Sequence, residues 1–235
     1  MLALIDGDIV AYRCAAVCEN VDEGIARWQA SELVERIISD VGADSWQIFI
    51  SGDNNFRYAI YPDYKLNRRD KPKPKWLEPV REHLVTEWNA EIVDGYEADD
   101  ALGINLTGIP DTVCCSIDKD LLQIPGRHYN FVKQELSTVL ENEGWKNFYT
   151  QLLVGDTSDN IPGCPSIGAV KAPRLLAPCG SVWEMYQICL QAYMKQQVPI
   201  EIMHRNAQLL YVWRRLDDQW QIPTQKIAEQ KPVAP

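Results

Sequence analysis

Asp156 and Asp159 lie three residues apart, directly before a proline- and glycine-rich turn, Ile161–Gly168, and a basic stretch from Lys171 to Arg174. Acids at this spacing can hold a metal ion, and such a turn can grip a phosphate. More acids come from distant points of the chain. Asp6 and Asp8 follow LALI, Asp53 follows QIFISG, Glu97, Asp99 and Asp100 follow EIVDGY or lie just past it, and Asp118 and Asp120 follow TVCCSI. Clustered carboxylates repel one another unless something cancels their charge. Oxygen ligands alone select hard cations, Mg²⁺ or Mn²⁺. Two such ions about 4 Å apart suit in-line attack of water on a phosphodiester.

Each motif taken singly has a plainer meaning. Glu97 and Asp100 share a helical face and can serve as caps at a helix N-terminus. Asp118-Lys119-Asp120 fits a capped turn, and Asp156, Asp159 and Asn160 are common turn formers. The combination, with acids ending several apolar runs, is what points to a metal site. His83, His128 and His204 are scattered and supply no general base.

The elements that must position these acids are legible in outline. Apolar runs at Leu2–Ile5, Trp46–Ile50, Glu91–Val93 and Thr112–Ile117 read as strands. Helical periodicity covers Ile9–Cys18, Gly24–Val41, Leu77–Trp88 and Tyr96–Leu106. Short apolar strands alternating with helices predict an α/β fold with a mostly parallel central sheet flanked by helices. Ligands of an open parallel sheet bind beyond the carboxyl ends of its strands, and here four strands deliver acids to that edge. After Trp145 the pattern changes to helix, hairpin and helix, with further helices at Ser181–Gln197 and Glu201–Leu216. The polar end, Gln225–Pro235, is expected to fray.

Bulk properties narrow the class. The 235 residues are 46% hydrophobic, enough for a sizeable core. No apolar run approaches the roughly 20 residues of a membrane span. Met1–Ile5 is interrupted by Asp6 and Asp8 and reads as a strand instead of a secretory signal. Seven cysteines at irregular spacing form no disulfide framework and no CxxC pair. A reducing cytoplasm is the expected location. The net charge of −10 argues at first against a nucleic-acid partner. Assigning ten acids to the metal site or its rim leaves the rest near neutral.

Basic residues complete the picture. Tyr64, Lys65, Arg68 and Arg69, then Lys71, Lys73 and Lys75, form an electropositive segment after Asp53 suited to phosphate contact. Arg13, two helical turns past Asp6, is expected to face the same site. Backbone N–H groups near Gly163 and Gly168 can hold a phosphate without reading bases.

With these residues in view, the chain resembles the 5′-nuclease family: flap endonucleases, the 5′-exonuclease domain of bacterial DNA polymerase I, and phage 5′-exonucleases, the last most of all. The matching segments are IDGD, FRYAIYPDYKLNR, YEADD, SIDKDLLQIPG and LVGDTSDNIPGCPSIG, in family order within residues 1–176. The resemblance implies metal-binding acids at Asp6, Asp53, Glu97, Asp99, Asp100, Asp118, Asp120, Asp156 and Asp159. It implies a catalytic phosphate contact from Lys65, with Arg68 nearby and Arg13 as the basic residue of the first helix. It also implies a helix-hairpin-helix at Ile161–Leu176 that binds duplex DNA and a K⁺ ion, and removal of nucleotides or flaps from 5′ ends. On this reading residues 1–150 form the catalytic region with a short basic arch at about 56–80. Residues 151–235 carry the hairpin, with Lys171, and the C-terminal helices, in one compact monomeric unit. The chain departs from the family pattern at Ser166, where a second hairpin glycine is usual, at Lys171, shifted by one place, at Pro173, and in its short proline-rich arch.

Two other classes compete. Asp6-x-Asp8 after a strand is the nucleophile pattern of haloacid-dehalogenase-type phosphatases, but that leaves YEADD, YKLNR and the hairpin unexplained. A DNA-binding accessory protein without catalysis would do better without nine negative charges beside a phosphate backbone. A PIN-type ribonuclease shares the acidic sheet edge but typically lacks the hairpin.

Overall fold

The computed structural model describes residues 1–68 and 71–224. Arg69 of the basic segment and the terminal Gln225–Pro235 therefore lie outside the described residues. Six strands, β1 (Leu2–Asp6), β2 (Ser45–Asn55), β3 (Glu91–Gly95), β4 (Thr112–Cys115), β5 (Gly126–Asn130) and β6 (Glu135–Val139), form one sheet in the order β3-β2-β1-β4-β5-β6. All pairs are parallel except β5–β6. Ala3, Leu4 and Ile5 of the central β1 have no exposed surface. Burial on both faces explains why the strand reads as a continuous apolar run and not as an alternation. The strand order reverses direction at β1, whose neighbours are β2 and β4. The carboxyl ends of β1 and β4 thus flank the switch point where ligands bind in such sheets.

Helices α1 (Gly7–Val17), α2 (Glu23–Val41) and α4 (Leu77–Trp88) cover one face, burying Val10, Val34, Ile37, Val80 and Leu84 against Ile5, Ile48 and Ile50. Helix α5 (Ala98–Gly108) covers the other, with Ala101 and Leu102 against Leu4, Phe49 and Cys114. A short helix α3 (Arg57–Ile60) follows β2. A second large apolar cluster joins α6 (Glu141–Val154), α7 (Lys171–Leu176), α8 (Val182–Lys195) and α9 (Ile200–Leu210), and it includes Tyr64 from the basic segment. A two-stranded hairpin, β7 (Gly155–Asp156) and β8 (Ile161–Pro162), lies between α6 and α7.

Two elements differ from the sequence expectation. The β5–β6 hairpin was not anticipated, because Glu135 to Thr138 are exposed and carry no apolar alternation. The last helix stops at Leu210 and not at Leu216. Tyr211 to Trp213 instead run extended and buried, with Val212 N–H donating to Gln123 (3.0 Å) and Trp213 N–H to Asp100 (3.0 Å). These tertiary bonds outweigh the local helical preference.

Candidate metal and nucleic-acid site

Five of the expected acids lie at or beside the sheet edge and form no ion pair with a described residue. Asp6 ends β1 and caps α1: its carboxylate accepts from Ile9 N–H (3.0 Å) and the Ser116 hydroxyl (2.6 Å), and only 2% of it is exposed. Ser116 also accepts from Asp118 N–H (3.0 Å), so one serine ties the end of β1 to the loop after β4. Asp118 in turn accepts from Asp120 N–H (2.8 Å). Asp99 enters from the first turn of α5, and Asp156 from β7.

Burial is the main cause that pushes the Asp6 carboxyl up to about 7, with Asp8 and Asp118 adding repulsion. Burial likewise raises Asp120 to about 7, with Asp118 and Asp156 as further causes. Asp99 is driven well above its ordinary value by burial and then by Asp6, Asp118 and Glu97. At Asp156 burial also pushes upward, but hydrogen bonds from Ser158 and Asp159 N–H outweigh it and the net shift is downward. Carboxyls that repel one another in this way are a sink for a cation. Among the described residues no group of three or more His, Cys, Asp or Glu side chains is arranged to hold a metal ion. The donors these acids offer are all oxygens, the kind of set that takes a hard cation such as Mg²⁺.

Beside this group, Glu97 and Asp159 are neutralised by the basic segment. Lys65 Nζ contacts Glu97 and lies 3.9 Å from Asp159, and Arg68 pairs with Asp159. At Glu97 burial pushes the carboxyl up, but Lys65 and Arg57, with hydrogen bonds from Lys65 and Tyr64, bring it below its ordinary value. The segment is stapled to the β7–β8 loop. Lys65 N–H donates to Asp159 O (3.0 Å), Asn160 to Asp63 O (2.9 Å), Arg68 to Ser158 O (2.9 Å), and Asn67 to Thr157 O. Lys65 itself sits at φ +56°, a left-handed conformation uncommon for such a side chain. Residues held this way cluster at functional sites.

Several expected site residues are placed elsewhere. Asp100 is fully buried, and its two oxygens take four donors: Arg57 twice (2.6 and 2.9 Å), Glu97 N–H (3.0 Å) and Trp213 N–H (3.0 Å). An ionised carboxylate has about four acceptor sites, so none remains for a metal. Asp100 is a structural acid. Asp53 is exposed near the carboxyl end of β2, the same end of the sheet as Asp6, where the register with β3 is irregular. Arg13 lines a groove between α1 and α2, because the helix carries it roughly 10 Å away from Asp6. Tyr64, expected on DNA, is 1% exposed and donates to Glu97 (2.9 Å) and Asp159 (3.0 Å). It orients acids and cannot touch a strand.

Lys71, Lys73 and Lys75 are exposed; Lys73 lies 3.6 Å from Glu78 and Lys75 stacks on Trp76 at 4.0 Å. Gly163 is present for close packing: a Cβ there would run into the Val154 carbonyl. Gly168 stands in open space, its carbonyl accepting from Lys171 and Ala172 N–H at the start of α7. Ser166 adopts φ +64°, the conformation that favours glycine, and its carbonyl accepts from Lys171 Nζ (3.3 Å).

Asp8, counted in the sequence with the acids of the metal site or its rim, is paired instead, and Arg57 escaped the sequence reading. Asp8 accepts from Ser51 N–H (3.0 Å) and pairs with Arg81, which also donates to Ser51 O (2.6 Å). It locks α1 and α4 to β2, which is not what a phosphatase acid-base would do. Arg57 is 2% exposed and also donates to Leu209 O (2.8 Å) and Tyr211 O (3.0 Å). A charged residue among Phe56, Tyr58 and Ile60 was the available signal, since buried arginines must be paired.

Residues 1–150 match the family described as 5′-3′ exonuclease, N-terminal resolvase-like domain, and the chain belongs to that family. It is 32% identical over 209 residues to DNA polymerase I of Geobacillus stearothermophilus, covering 77% of this chain and 24% of that protein. It is 29% identical over 156 residues to a 5′-3′ exonuclease of Buchnera aphidicola, covering 59% of this chain and 54% of the relative. The chain thus spans about a quarter of the polymerase and about half of the exonuclease. The fold is that of the bacteriophage T5 flap endonuclease solved with DNA and metal ions: TM-score 0.68, 16% identity, 89% of this chain and 88% of the other. The bacteriophage 5′-exonuclease solved with zinc gives a TM-score of 0.67 at 17% identity, with the same coverage of both chains. No described helix is long and apolar enough to cross a membrane.

Proposed function

We propose that this chain hydrolyses phosphodiester bonds near the 5′ ends of DNA, as an exonuclease or flap endonuclease, with two bound divalent ions, Mg²⁺ or Mn²⁺. One observation carries the proposal: beside the switch point of a parallel sheet Asp6, Asp99 and Asp118 repel one another, Asp118, Asp120 and Asp156 do likewise, and none of the five forms an ion pair with a described residue. These five would hold the ions, with Glu97 and Asp159 at the edge of the group. Bound ions supply a water activated as hydroxide and stabilise the leaving oxygen.

The chain's own side chains do the rest. Lys65 and Arg68 bring positive charge to the rim of an acidic site, where a phosphate must approach, and so offset its repulsion. Tyr64 fixes Glu97 and Asp159 from below. The hairpin between α6 and α7 holds duplex backbone through its N–H groups and Lys171, with a K⁺ ion on its carbonyls as the family resemblance implies. In this reading residues 1–150 are catalytic and 151–235 bind duplex.

The test uses a 5′-flap duplex and a blunt duplex, labelled at either end, with Mg²⁺, Mn²⁺ or EDTA. Metal-dependent release of nucleotides or short oligonucleotides from the 5′ side supports the proposal. Release of inorganic phosphate alone, or binding without cleavage under every metal, refutes it.

A further inference from the structure

Ser116 stands where the two central strands end. β1 and β4 run parallel with Ile5 beside Cys115, so the next position on each chain brings Asp6 beside Ser116. Neighbouring side chains at one register point to the same face of a sheet. The Ser116 hydroxyl both donates and accepts there. It donates to Asp6 Oδ2 (2.6 Å) and accepts from Asp118 N–H (3.0 Å), two residues further along its own chain. Asp118 Oδ1 then accepts from Asp120 N–H (2.8 Å). One run of hydrogen bonds thus joins Asp6, Asp118 and Asp120, and its link from β1 to the loop after β4 is a single hydroxyl. The backbone of Ser116 is held as well, its N–H donating to Tyr129 O of β5 (3.1 Å).

These bonds fix directions as well as positions. Ile9 N–H holds Asp6 Oδ1 (3.0 Å) as a helix cap. A carboxylate held by one oxygen can still turn about its terminal torsion, which has only broad preferences. The bond from Ser116 to Oδ2 stops that turn. Among the described residues no other side chain donates to Asp6. An ionised carboxylate has about four acceptor sites, so each Asp6 oxygen keeps one open for a cation. On the other side, the Ser116–Asp118 bond closes the local turn that aims Asp118, as serine hydroxyls do in such turns. Carboxylates that bind metals depend on partners of this kind to orient them.

We infer that Ser116 is a positioning residue for the divalent-metal site, its hydroxyl holding Asp6 and Asp118 in the mutual orientation that takes an ion. Ser116 is not itself a ligand. The inference rests on the nuclease reading above and goes beyond it by naming what aligns two of its acids.

The experiment titrates the metal-free full chain with Mn²⁺ in a calorimeter, for the unaltered protein, Ser116→Ala and Ser116→Thr, with folding checked by circular dichroism. Ser116 is only half-buried, so losing one oxygen there leaves no enclosed cavity. Ser116→Ala is expected to weaken Mn²⁺ binding by about 10–100-fold, and Ser116→Thr, which keeps the hydroxyl, by less than about threefold. In 5′-flap cleavage the alanine variant should need about 10–100-fold more Mg²⁺ for its half-maximal rate. An alanine variant that binds Mn²⁺ within about twofold of the unaltered chain overturns the inference, even if it melts at a lower temperature, because the hydroxyl then serves stability alone. A threonine variant that loses as much affinity as the alanine variant overturns it too. Failure of the unaltered chain to bind Mn²⁺ at all overturns the nuclease reading and this inference with it.

Discussion

Arg57→Ala is the perturbation whose size the structure fixes best. The guanidinium is 2% exposed and makes four hydrogen bonds: two to Asp100, and one each to Leu209 O and Tyr211 O. It also stands 3.5 Å from Glu97. Removing it leaves a fully buried carboxylate with only two backbone N–H donors and orphans two buried carbonyls. Breaking one partner of a buried pair costs roughly 3–5 kcal/mol. For a chain of this size each kcal/mol moves the midpoint by about 2–4 °C, so a fall of roughly 6–20 °C is expected. Metal-free protein, melted by circular dichroism and unfolded in urea, provides the assay. Arg57→Ala with Asp100→Asn should recover part of the loss, because the uncompensated charge is then gone; a coupling of about 1–3 kcal/mol is expected. A single-variant loss below about 1 kcal/mol, or full additivity of the two changes, would refute the structural role given to this pair.

Other outcomes follow from the same geometry. Without metal, Asp6 and Asp120 titrate near 7, above their unfolded value of 3.8, so each contributes stability when protonated and loses it as pH rises through about 7. Mg²⁺ should therefore raise the melting temperature more at pH 8 than at pH 6; an equal rise at both would contradict the site. Ser166→Gly should stabilise the protein by about 1 kcal/mol in urea unfolding, by relieving a left-handed serine. Gly163→Ala should destabilise it clearly and Gly168→Ala hardly at all, since only the first Cβ meets backbone; equal effects in a melting comparison would argue against the hairpin packing. Lys65→Ala should lower the single-turnover cleavage rate by about 10²-fold or more, the usual scale for losing one electrostatic contact to the reacting group.

The sheet and its acidic edge were legible because apolar runs ending in acids leave few alternatives: β1 to β4 fall where LALI, QIFIS, EIV and TVCC stand. The helices of the first half were legible for the same reason of periodicity, Leu77–Trp88 to the residue. What spacing could not divide was the set of acids. Glu97, Asp99 and Asp100 look alike in YEADD, yet one is paired with Lys65, one is crowded by other acids, and one is locked to Arg57. That division depends on partners 32 and 43 residues away in sequence. Tyr64 reads as a surface aromatic in a basic run, and only its packing against the α6–α9 cluster shows it buried. The stop at Leu210 is likewise set by Asp100 and Gln123, not by any local breaker.

The central claim is that the crowded carboxylates at the switch point hold divalent ions that hydrolyse DNA at 5′ ends. Its most direct measurement is the single-turnover rate of 5′-flap cleavage against Mg²⁺ concentration for the unaltered chain and for Asp118→Ala, with folding of both checked by circular dichroism. The account predicts a rate that rises with Mg²⁺, vanishes in EDTA, and falls by about 10²-fold or more in the folded variant at every Mg²⁺ concentration. A folded Asp118→Ala protein that cleaves as fast as the unaltered chain would contradict it.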